Sequence, residues 1–259
     1  MVMHYLKEKD FLVNAFQEAY KKFYNRAALS PEYKTEFDIV TSVDCGIEDY
    51  LIAEINKQFP GDVIFSEERN AKQQAGIRTW IIDPIDGTVN MSHGIRLFGL
   101  QGALQVDGET VMSVIYLPNY DELYYAIKRC GAFCNGQKLS VAKRPLGQAV
   151  VSFSDYPHDF PTQSEIQQKM IKKMHAKVSK IRMFGAACVD FTFVASGKID
   201  ATVCGTGYLW DIAPGMLLCS EAGASVVNIK GYTFTQSDFF AVAVSSKELK
   251  ALIIDSAME

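Results

Sequence analysis

WIIDPIDGTVN, residues Trp80–Asn90, joins an apolar run to two acidic side chains and a Gly-Thr pair. The apolar run predicts a buried strand, and ligands of α/β proteins tend to lie at the carboxyl ends of strands. Asp83 and Asp86 stand at that end, three positions apart, with Pro84 between them. Because Pro84 removes a backbone donor and fixes a turn, we expect the carbonyl of Ile85 to point the same way as the two carboxylates.

The two residues after Asp86 favour a phosphate-binding turn. Gly87 lets the backbone come close to a ligand, and the amides of Gly87 and Thr88 are expected to open a helix. A helix N-terminus presents free amides that attract phosphate, while carboxylate and carbonyl oxygens are the ligands that Mg²⁺ prefers. The stretch therefore predicts Mg²⁺ ligation beside a phosphate site, although an isolated D-x-x-D pair more often only caps a turn or a helix.

Acidic residues also stand beside three other apolar segments. Glu67 and Glu68 follow the strand-like DVIF, Asp211 follows Trp210, and Asp44 ends FDIVTSV. Each has a plain structural alternative, because the aspartates suit helix N-caps and the glutamates suit a solvated edge. Four acidic groups beside buried elements are less easily explained in that way. Unpaired buried carboxylates are costly, and divalent ions would relieve that cost.

Composition places the chain among ordinary globular proteins and argues against two classes of partner. Its 259 residues are 48% hydrophobic and 22% charged, which is enough to bury a large core. A net charge of −4 without a Lys/Arg-rich run argues against a nucleic-acid polymer as partner. The sequence shows neither a stretch of roughly 18 apolar residues nor a signal-peptide core, so we expect no membrane span and a cytoplasmic location. Six cysteines without a CxxC pair are expected to be reduced, buried thiols.

Hydrophobic periodicity predicts a mixed α/β chain. The first half is expected to hold two helices, a loop and an antiparallel meander: helices at 4–27 and 44–59, the loop at 30–44, and strands at 62–65, 97–106, 110–117 and 122–127. The second half is expected to alternate, with helices at 162–177, 186–196, 211–222 and 246–254 and strands at 179–183, 199–203, 225–229 and 239–244. We expect two α/β parts in one compact unit, with most metal ligands in residues 1–145 and the closing part in residues 146–259.

The order of these segments resembles the inositol monophosphatase family, within the fructose-1,6-bisphosphatase-like group of Mg²⁺-dependent, lithium-sensitive phosphatases. Five segments carry the resemblance: DIVTSVD (38–44), SEE (66–68), DPIDGTVN (83–90), GAFCNGQKLSV (131–141) and WDIAPGMLLCSEAGA (210–224). One such motif arises easily by chance, whereas five in the same order do not. The resemblance implies an α/β (α+β) fold, a layered αβαβα sandwich, and a homodimer.

The resemblance assigns a Mg²⁺ centre of two or three ions. Glu67, Asp83 and the Ile85 carbonyl would hold the first ion. Asp83, Asp86 and Asp211 would hold the second, so that Asp83 bridges the pair. Glu67 and water would support a third, weaker ion. Two ions about 4 Å apart clamp an in-line displacement, with one activating the attacking water and the other neutralising the leaving oxygen.

The resemblance also assigns the groups that handle the water and the phosphate. Asp44 and the Thr88 hydroxyl would orient and deprotonate the attacking water, and Glu68 would support this arrangement through a water molecule. The amides of Gly87 and Thr88 would bind the phosphate. The implied substrate is a small-molecule phosphate ester.

The substrate side departs from the family. Asp86 and the backbone amides of Ala186 and Ala187 are where the resemblance places the alcohol. The acidic residue that grips an inositol hydroxyl in the family is Cys204 here, and a thiol is a weak hydrogen-bonding group.

Three functions therefore stay open. The first is hydrolysis of inositol monophosphate or a similar small polyol or sugar phosphate. The second is the same chemistry on a nucleotide such as 3′-phosphoadenosine 5′-phosphate or NADP, and the third is a non-catalytic metal- or phosphate-binding role. We expect the first from the family's usual substrates, and the complete set of metal ligands argues against the third.

Overall fold

Residues 4–24, 31–37, 39–72, 76–205, 208–235 and 237–258 are described by the computed structural model of this chain. The helices of this part are α1 (Leu6–Phe23), α2 (Ser42–Gln58), α3 (Thr88–Ser92), α4 (Pro161–Met174), α5 (Ala187–Ala195), α6 (Leu209–Glu221) and α7 (Lys247–Ala257). The strands are β1 (Pro31–Tyr33), β2 (Ile39–Thr41), β3 (Val63–Ser66), β4 (Arg78–Asp86), β5 (Gly99–Val106), β6 (Glu109–Leu117), β7 (Glu122–Ile127), β8 (Gly131–Cys134), β9 (Gln137–Lys138), β10 (Val150–Phe153), β11 (Lys180–Arg182), β12 (Ala201–Gly205), β13 (Ser225–Asn228) and β14 (Phe240–Val244).

The larger sheet has seven strands in the order β3-β4-β5-β6-β7-β8-β9. β3 runs parallel to β4 and the later pairs are antiparallel, so the predicted meander is confirmed. Asp107 and Gly108, both with positive φ, form the tight turn between β5 and β6 that Asp-Gly favours. Because Ser66 pairs with Ile82, the residue after β3 lies beside the acidic end of β4.

The smaller sheet has five strands in the order β11-β10-β12-β14-β13. β10 runs parallel to both of its neighbours, while β14 is antiparallel to β12 and β13. The parallel strands β10 and β12 therefore end at the same edge. Ser154 follows one of these ends and Cys204 lies near the other.

The two sheets and three pairs of helices form five layers. α1 and α2 cover one face of the larger sheet, where Phe16 of α1 and Leu51 of α2 share one hydrophobic core with Leu100 of β5. α5 and α6 fill the space between the two sheets, and α4 and α7 cover the outer face of the smaller sheet. Each helix layer buries the apolar stripe of its helices against a sheet, which is what excludes water from the core. The αβαβα sandwich expected from the resemblance is confirmed.

Two parts of the sequence prediction need correction, and a third falls outside the described residues. The predicted loop over 30–44 contains β1 and β2, which pair only with each other as a two-stranded sheet, and α2 begins at Ser42. The strands β8, β9 and β10 were also missed, because strands of two to four residues are too short to show an alternating pattern. The predicted end of the first helix at 25–27 and Asp38 of the motif DIVTSVD lie outside the described residues.

All six cysteines are free, as expected, but only Cys188, Cys204 and Cys219 are buried, and the other three are half-buried. None of the described helices is both long and apolar enough to cross a membrane. The boundary near residue 145 and the homodimer stay predictions.

Candidate active site

A β-bulge at the end of β4 sets the direction of the two aspartates of DPIDGT. Asp83 pairs with Gln101 and Asp86 pairs with Gly99, so three steps along β4 match two steps along β5. Residues three apart on a regular strand point to opposite faces of the sheet. The extra residue, next to Pro84, turns Asp86 toward the same side as Asp83. The bulge therefore supplies the turn that the sequence predicted here.

Asp83 is the most enclosed of these acids, with 1% of its surface exposed. Its Oδ2 accepts a hydrogen bond of 3.2 Å from the Gln101 side chain, while Oδ1 has no hydrogen-bond partner among the described residues. Burial raises the pKa of Asp83 well above its usual range, and the charges of Glu67, Asp86 and Asp211 raise it further. Because the charges of the other three acids act on Asp83, the four side chains lie close to one another in space.

Glu48 on α2 positions the SEE segment. Its carboxylate is fully buried and accepts hydrogen bonds from the Ser66 hydroxyl at 2.6 Å and from the amides of Glu68 at 2.9 Å and Arg69 at 2.8 Å. Three such bonds compensate for burying the charge. The backbone after β3 is therefore held so that the side chains of Glu67 and Glu68 project into the site.

Lys34 places an ammonium group against both of those glutamates. Its Nζ lies 2.9 Å from Glu67 Oε1 and 2.8 Å from Glu68 Oε1. Burial and the nearby charge of Asp211 raise the pKa of Glu67 well above its usual range, although the Lys34 ammonium opposes this shift. Burial alone would lower the pKa of Lys34, but the charges of Glu67 and Glu68 raise it, so the lysine is protonated at neutral pH.

Asp44 and Thr88 meet across the site. The Thr88 hydroxyl lies 2.8 Å from Asp44 Oδ1 and 2.9 Å from the carbonyl oxygen of Ile85. The other carboxylate oxygen of Asp44 accepts from the amide and hydroxyl of Thr41, the residue that caps α2. The alternative prediction, that Asp44 caps a helix, is therefore correct in part: Asp44 belongs to the capping box of α2, but the N-cap residue is Thr41. Burial raises the pKa of Asp44, and the hydrogen bonds from Thr41 and Thr88 oppose that shift.

Gly87 makes the turn from β4 into α3, as the sequence predicted. Its φ of 88° lies in the left-handed region. A Cβ atom here would stand 2.9 Å from the Cβ of Ala186 and 3.0 Å from the carbonyl oxygen of Leu97. Glycine is therefore required both by the backbone conformation and by the close approach of the neighbouring chain. The first residue of α3 is Thr88, which places its amide and hydroxyl at this turn.

Asp211 lies in the first turn of α6. Its carbonyl oxygen accepts a hydrogen bond of 3.3 Å from the same Gln101 amide group that binds Asp83. The neighbouring Trp210 is buried against Phe65 of β3, with ring centroids 5.0 Å apart. These contacts fix the start of α6 beside the ends of β3 and β4.

A cavity of about 350 Å³ opens beside these acids. The described residues that line it are Asp86, Ser154, Asp155, Tyr156, Gly185, Ala186, Ala187, Asp190, Cys204, Gly205, Tyr208 and Asp211. Asp86 accepts a short hydrogen bond from the amide of Cys188, in the first turn of α5. The structure thus brings all four residues assigned to the substrate side into one cavity wall, with Asp86 also bound to the start of α5.

The donor set fits a divalent cation. Glu67, Asp83, Asp86 and Asp211 offer only oxygen atoms, one of them buried and unpartnered, and their mutual repulsion raises the pKa of Asp83. Within the ranges the structure describes, no three acidic, His or Cys side chains are close enough to hold an ion as they stand. The acids are neighbours in an arrangement wider than a coordination shell, with the Lys34 ammonium supplying positive charge at one side.

Three residues that build this site were not predicted from the sequence. Glu48 lies one helical turn after Asp44, so its position on the same face of α2 was a usable signal. Gln101 lies on β5 and is fully buried, yet a lone Gln in an apolar strand carries no signal of its partners. Lys34 was assigned to a loop, and nothing in the surrounding SPEYKTEF indicates that it meets acids more than 30 residues away.

Comparison with known proteins agrees with this arrangement. A model of the inositol monophosphatase family matches residues 9–259. A fructose-1,6-bisphosphatase/inositol-1-monophosphatase of Thermotoga maritima is 35% identical over 202 residues, which cover 77% of this chain and 75% of that protein. An inositol-1-monophosphatase of Mesorhizobium japonicum is 38% identical over 196 residues, which cover 75% of this chain and 73% of that protein. This chain belongs to the inositol monophosphatase family.

Solved structures share the whole fold. The extragenic suppressor protein suhB of Bartonella henselae superposes with a TM-score of 0.87 at 28% identity, covering 98% of this chain and 99% of that one. An IMPase of Thermotoga maritima gives a TM-score of 0.82 at 29% identity, covering 97% and 98% of the two chains. The five-layer architecture is therefore that of the family.

Proposed function

We propose that this protein is a Mg²⁺-dependent phosphomonoesterase that hydrolyses inositol monophosphate or a similar small polyol or sugar phosphate. The observation that carries the proposal is the meeting of Glu67, Asp83, Asp86 and Asp211 beside the Gly87-Thr88 turn. Four neighbouring acids with one unpartnered buried oxygen suit divalent cations, and the turn suits a phosphate group. Both relatives named above carry the same activity in their names.

Bound Mg²⁺ would supply Lewis-acid activation of water and neutralisation of charge on the phosphate ester. Glu67, Asp83, Asp86, Asp211 and the carbonyl of Ile85 are the groups proposed to hold it. In this structure that carbonyl oxygen faces the Thr88 hydroxyl at 2.9 Å.

Asp44 and Thr88 can together receive a proton from water. The Thr88 hydroxyl has one proton and two acceptors, Asp44 and the carbonyl of Ile85. When that proton is directed to Asp44, the oxygen of Thr88 keeps lone pairs that can accept from a water molecule. Burial raises the pKa of Asp44 and so makes it a better base. Its second oxygen is occupied by Thr41, which leaves Oδ1 for this role.

The remaining groups orient the ester. The amides of Gly87 and Thr88 would bind phosphate oxygens at the start of α3. Asp86 and the chain at Ala186 and Ala187 would meet the alcohol, since all three line the same cavity. Glu68, whose amide is fixed by Glu48, would hold a water molecule beside Glu67.

The test is phosphate release from a substrate panel with and without Mg²⁺ and with added Li⁺. The panel holds inositol 1-phosphate, glycerol 2-phosphate, fructose 1,6-bisphosphate, 3′-phosphoadenosine 5′-phosphate and NADP⁺. We expect Mg²⁺-dependent release led by inositol 1-phosphate or another small polyol ester. Release led by a nucleotide would keep the chemistry and replace the substrate, and no release from any ester would refute the proposal.

Thr88→Ala should slow turnover while leaving the Mg²⁺ concentration for half-maximal activity nearly unchanged. The hydroxyl contacts Asp44, and its contact with the proposed metal centre is through the Ile85 carbonyl and not through one of the four carboxylates. Loss of a group that assists proton transfer typically lowers kcat by about 10²- to 10⁴-fold. Steady-state kinetics over a Mg²⁺ titration measure both quantities. Thr88→Ser, which keeps the hydroxyl, is the control and should retain most of the activity; an unchanged rate in Thr88→Ala would remove Thr88 from the mechanism.

A further inference from the structure

The cavity beside the proposed metal centre contains a carboxylate whose purpose the fold does not explain. Asp155 lines this cavity together with Cys204 and the substrate-side residues Ala186 and Ala187. It lies between β10 and α4 and does not cap that helix, and none of the ion pairs within the described residues includes it. In the described part of the chain, its carboxylate makes no hydrogen bond, although His158 is an electrostatic neighbour.

Cys204 is poorly suited to hold a hydroxyl group of a substrate. The residue is 1% exposed, and burial raises the pKa of its thiol well above the usual range. Asp190, Asp211 and Asp86 raise that pKa further, so the group stays a neutral thiol. A thiol is a weak donor and a weak acceptor. Cys204 therefore supplies no strong acceptor to the cavity. The carboxylates that line it are Asp86 and Asp211, which are assigned to the metal centre, the fully buried Asp190, and Asp155.

Asp155 is held in place by the residue before it. Ser154 accepts a hydrogen bond of 2.9 Å from the amide of Gly205 through its hydroxyl, and its own amide donates to the carbonyl of Val203 at 3.1 Å. Its carbonyl accepts from the buried Gln167 at 2.6 Å. These bonds tie the end of β10 to the end of β12 on both sides of Cys204. The backbone that leads into Asp155 is thus fixed beside Cys204, and the exposed Asp155 side chain lines the same cavity.

The neighbouring side chains indicate the kind of group that Asp155 meets. Tyr156 and Tyr208 line the same cavity and add phenol groups and ring faces to its wall. The surrounding protein raises the pKa of Asp155 through partial burial, while His158 opposes this shift. A wall that combines a carboxylate acceptor with phenols suits a neutral alcohol that carries several hydroxyl groups.

We propose that Asp155 selects the substrate by accepting a hydrogen bond from a hydroxyl of a polyhydroxylated alcohol, in place of an acidic residue at position 204. This inference rests on the proposed phosphatase function and adds to it a specificity residue on a different strand end. Asp155 contacts the alcohol away from the phosphate. It therefore contributes to binding and selection and takes no part in the activation of water.

The experiment compares Asp155→Ala with the unaltered protein on two esters. One is inositol 1-phosphate and the other is para-nitrophenyl phosphate, whose alcohol offers no further hydroxyl. We expect kcat/KM for the inositol ester to fall by about ten- to a hundredfold, mainly through KM, as for loss of a hydrogen bond to a charged group. The same variant should hydrolyse para-nitrophenyl phosphate within about twofold of the unaltered protein. Asp159→Ala is the matched control, because Asp159 is an exposed acid of the same loop that does not line the cavity.

A series of monodeoxy inositol 1-phosphates identifies the hydroxyl group. For the analogue that lacks the contacted hydroxyl, the unaltered protein and Asp155→Ala should become equal within about twofold, because both lack the same bond. A loss that is equal on all esters, or no loss on the inositol ester, would overturn the role of Asp155 while leaving the phosphatase function standing. Absence of phosphate release by the unaltered protein from either ester would refute the phosphatase function and the inference with it.

Discussion

Asp83→Asn is expected to lower kcat by roughly a thousandfold or more, since loss of groups that only support a metal ligand already costs about 10- to 100-fold. Asp83 lies at the centre of the four acids, with one oxygen bound to Gln101 and the other unpartnered within the described residues. The substitution keeps the shape of the side chain and removes its charge. It therefore removes the ligand that is proposed to bridge two ions.

The same substitution should leave the fold intact. The charges of Glu67, Asp86 and Asp211 raise the pKa of Asp83, so a neutral side chain here removes repulsion in the metal-free protein. We expect the free energy of unfolding without metal to be unchanged or higher, measured by denaturant titration in the presence of a chelator. Asp107→Asn, an equal change of charge in the exposed β5–β6 turn, is the control and should alter neither property. Near-normal turnover of Asp83→Asn in saturating Mg²⁺ would refute the bridging role.

Gly215→Ala should destabilise the protein by about 1–3 kcal/mol, the usual cost of overpacking a core. Gly215 lies within α6, where alanine would otherwise be favoured by about 1 kcal/mol. A Cβ atom here would stand 2.3 Å from Cγ and 2.5 Å from Cβ of the fully buried Phe191 on α5. Since Phe191 is enclosed in the middle helix layer, the two helices must separate to admit the methyl group.

Thermal unfolding checks this expectation. For a chain of this size, about 1 kcal/mol corresponds to a change in Tm of roughly 2–4 °C, so Tm should fall by about 2–12 °C. Gly147→Ala is the control, because an added Cβ there meets nothing within 4 Å. An unchanged or higher Tm in Gly215→Ala would show that α5 and α6 adjust without cost.

The proposed active site was foreseen where it depends on local sequence. Asp83, Asp86, Gly87 and Thr88 stand in one segment, so a strand end, a turn and a helix start could be deduced together. The β-bulge was less accessible, because it depends on how β4 pairs with β5. Asp211 was found through its own motif, but its place beside Asp83 depends on Gln101, which holds both.

The other features that were not predicted also depend on contacts between segments that are distant in the sequence. β1 and β2 are three residues each and pair only with each other, so neither shows the alternation that marks a half-buried strand. Asp155 went unnoticed because an acid in a polar loop is ordinarily solvated. Its place in the cavity becomes visible only when β10 and β12 are seen to end at the same edge.

The ammonium of Lys34 acts as a built-in counter-ion for the acids. It lies on Glu67 and Glu68, while the raised pKa of Asp83 allows that carboxyl to take up a proton when no cation neutralises it. Charge balance at the site can thus be reached without a bound ion. Removal of the proposed Mg²⁺ with a chelator should therefore abolish activity without unfolding the protein, and adding Mg²⁺ back should restore activity. The inactive, metal-free form would then stay folded and could be reactivated, unlike a protein that folds only when its metal ion binds.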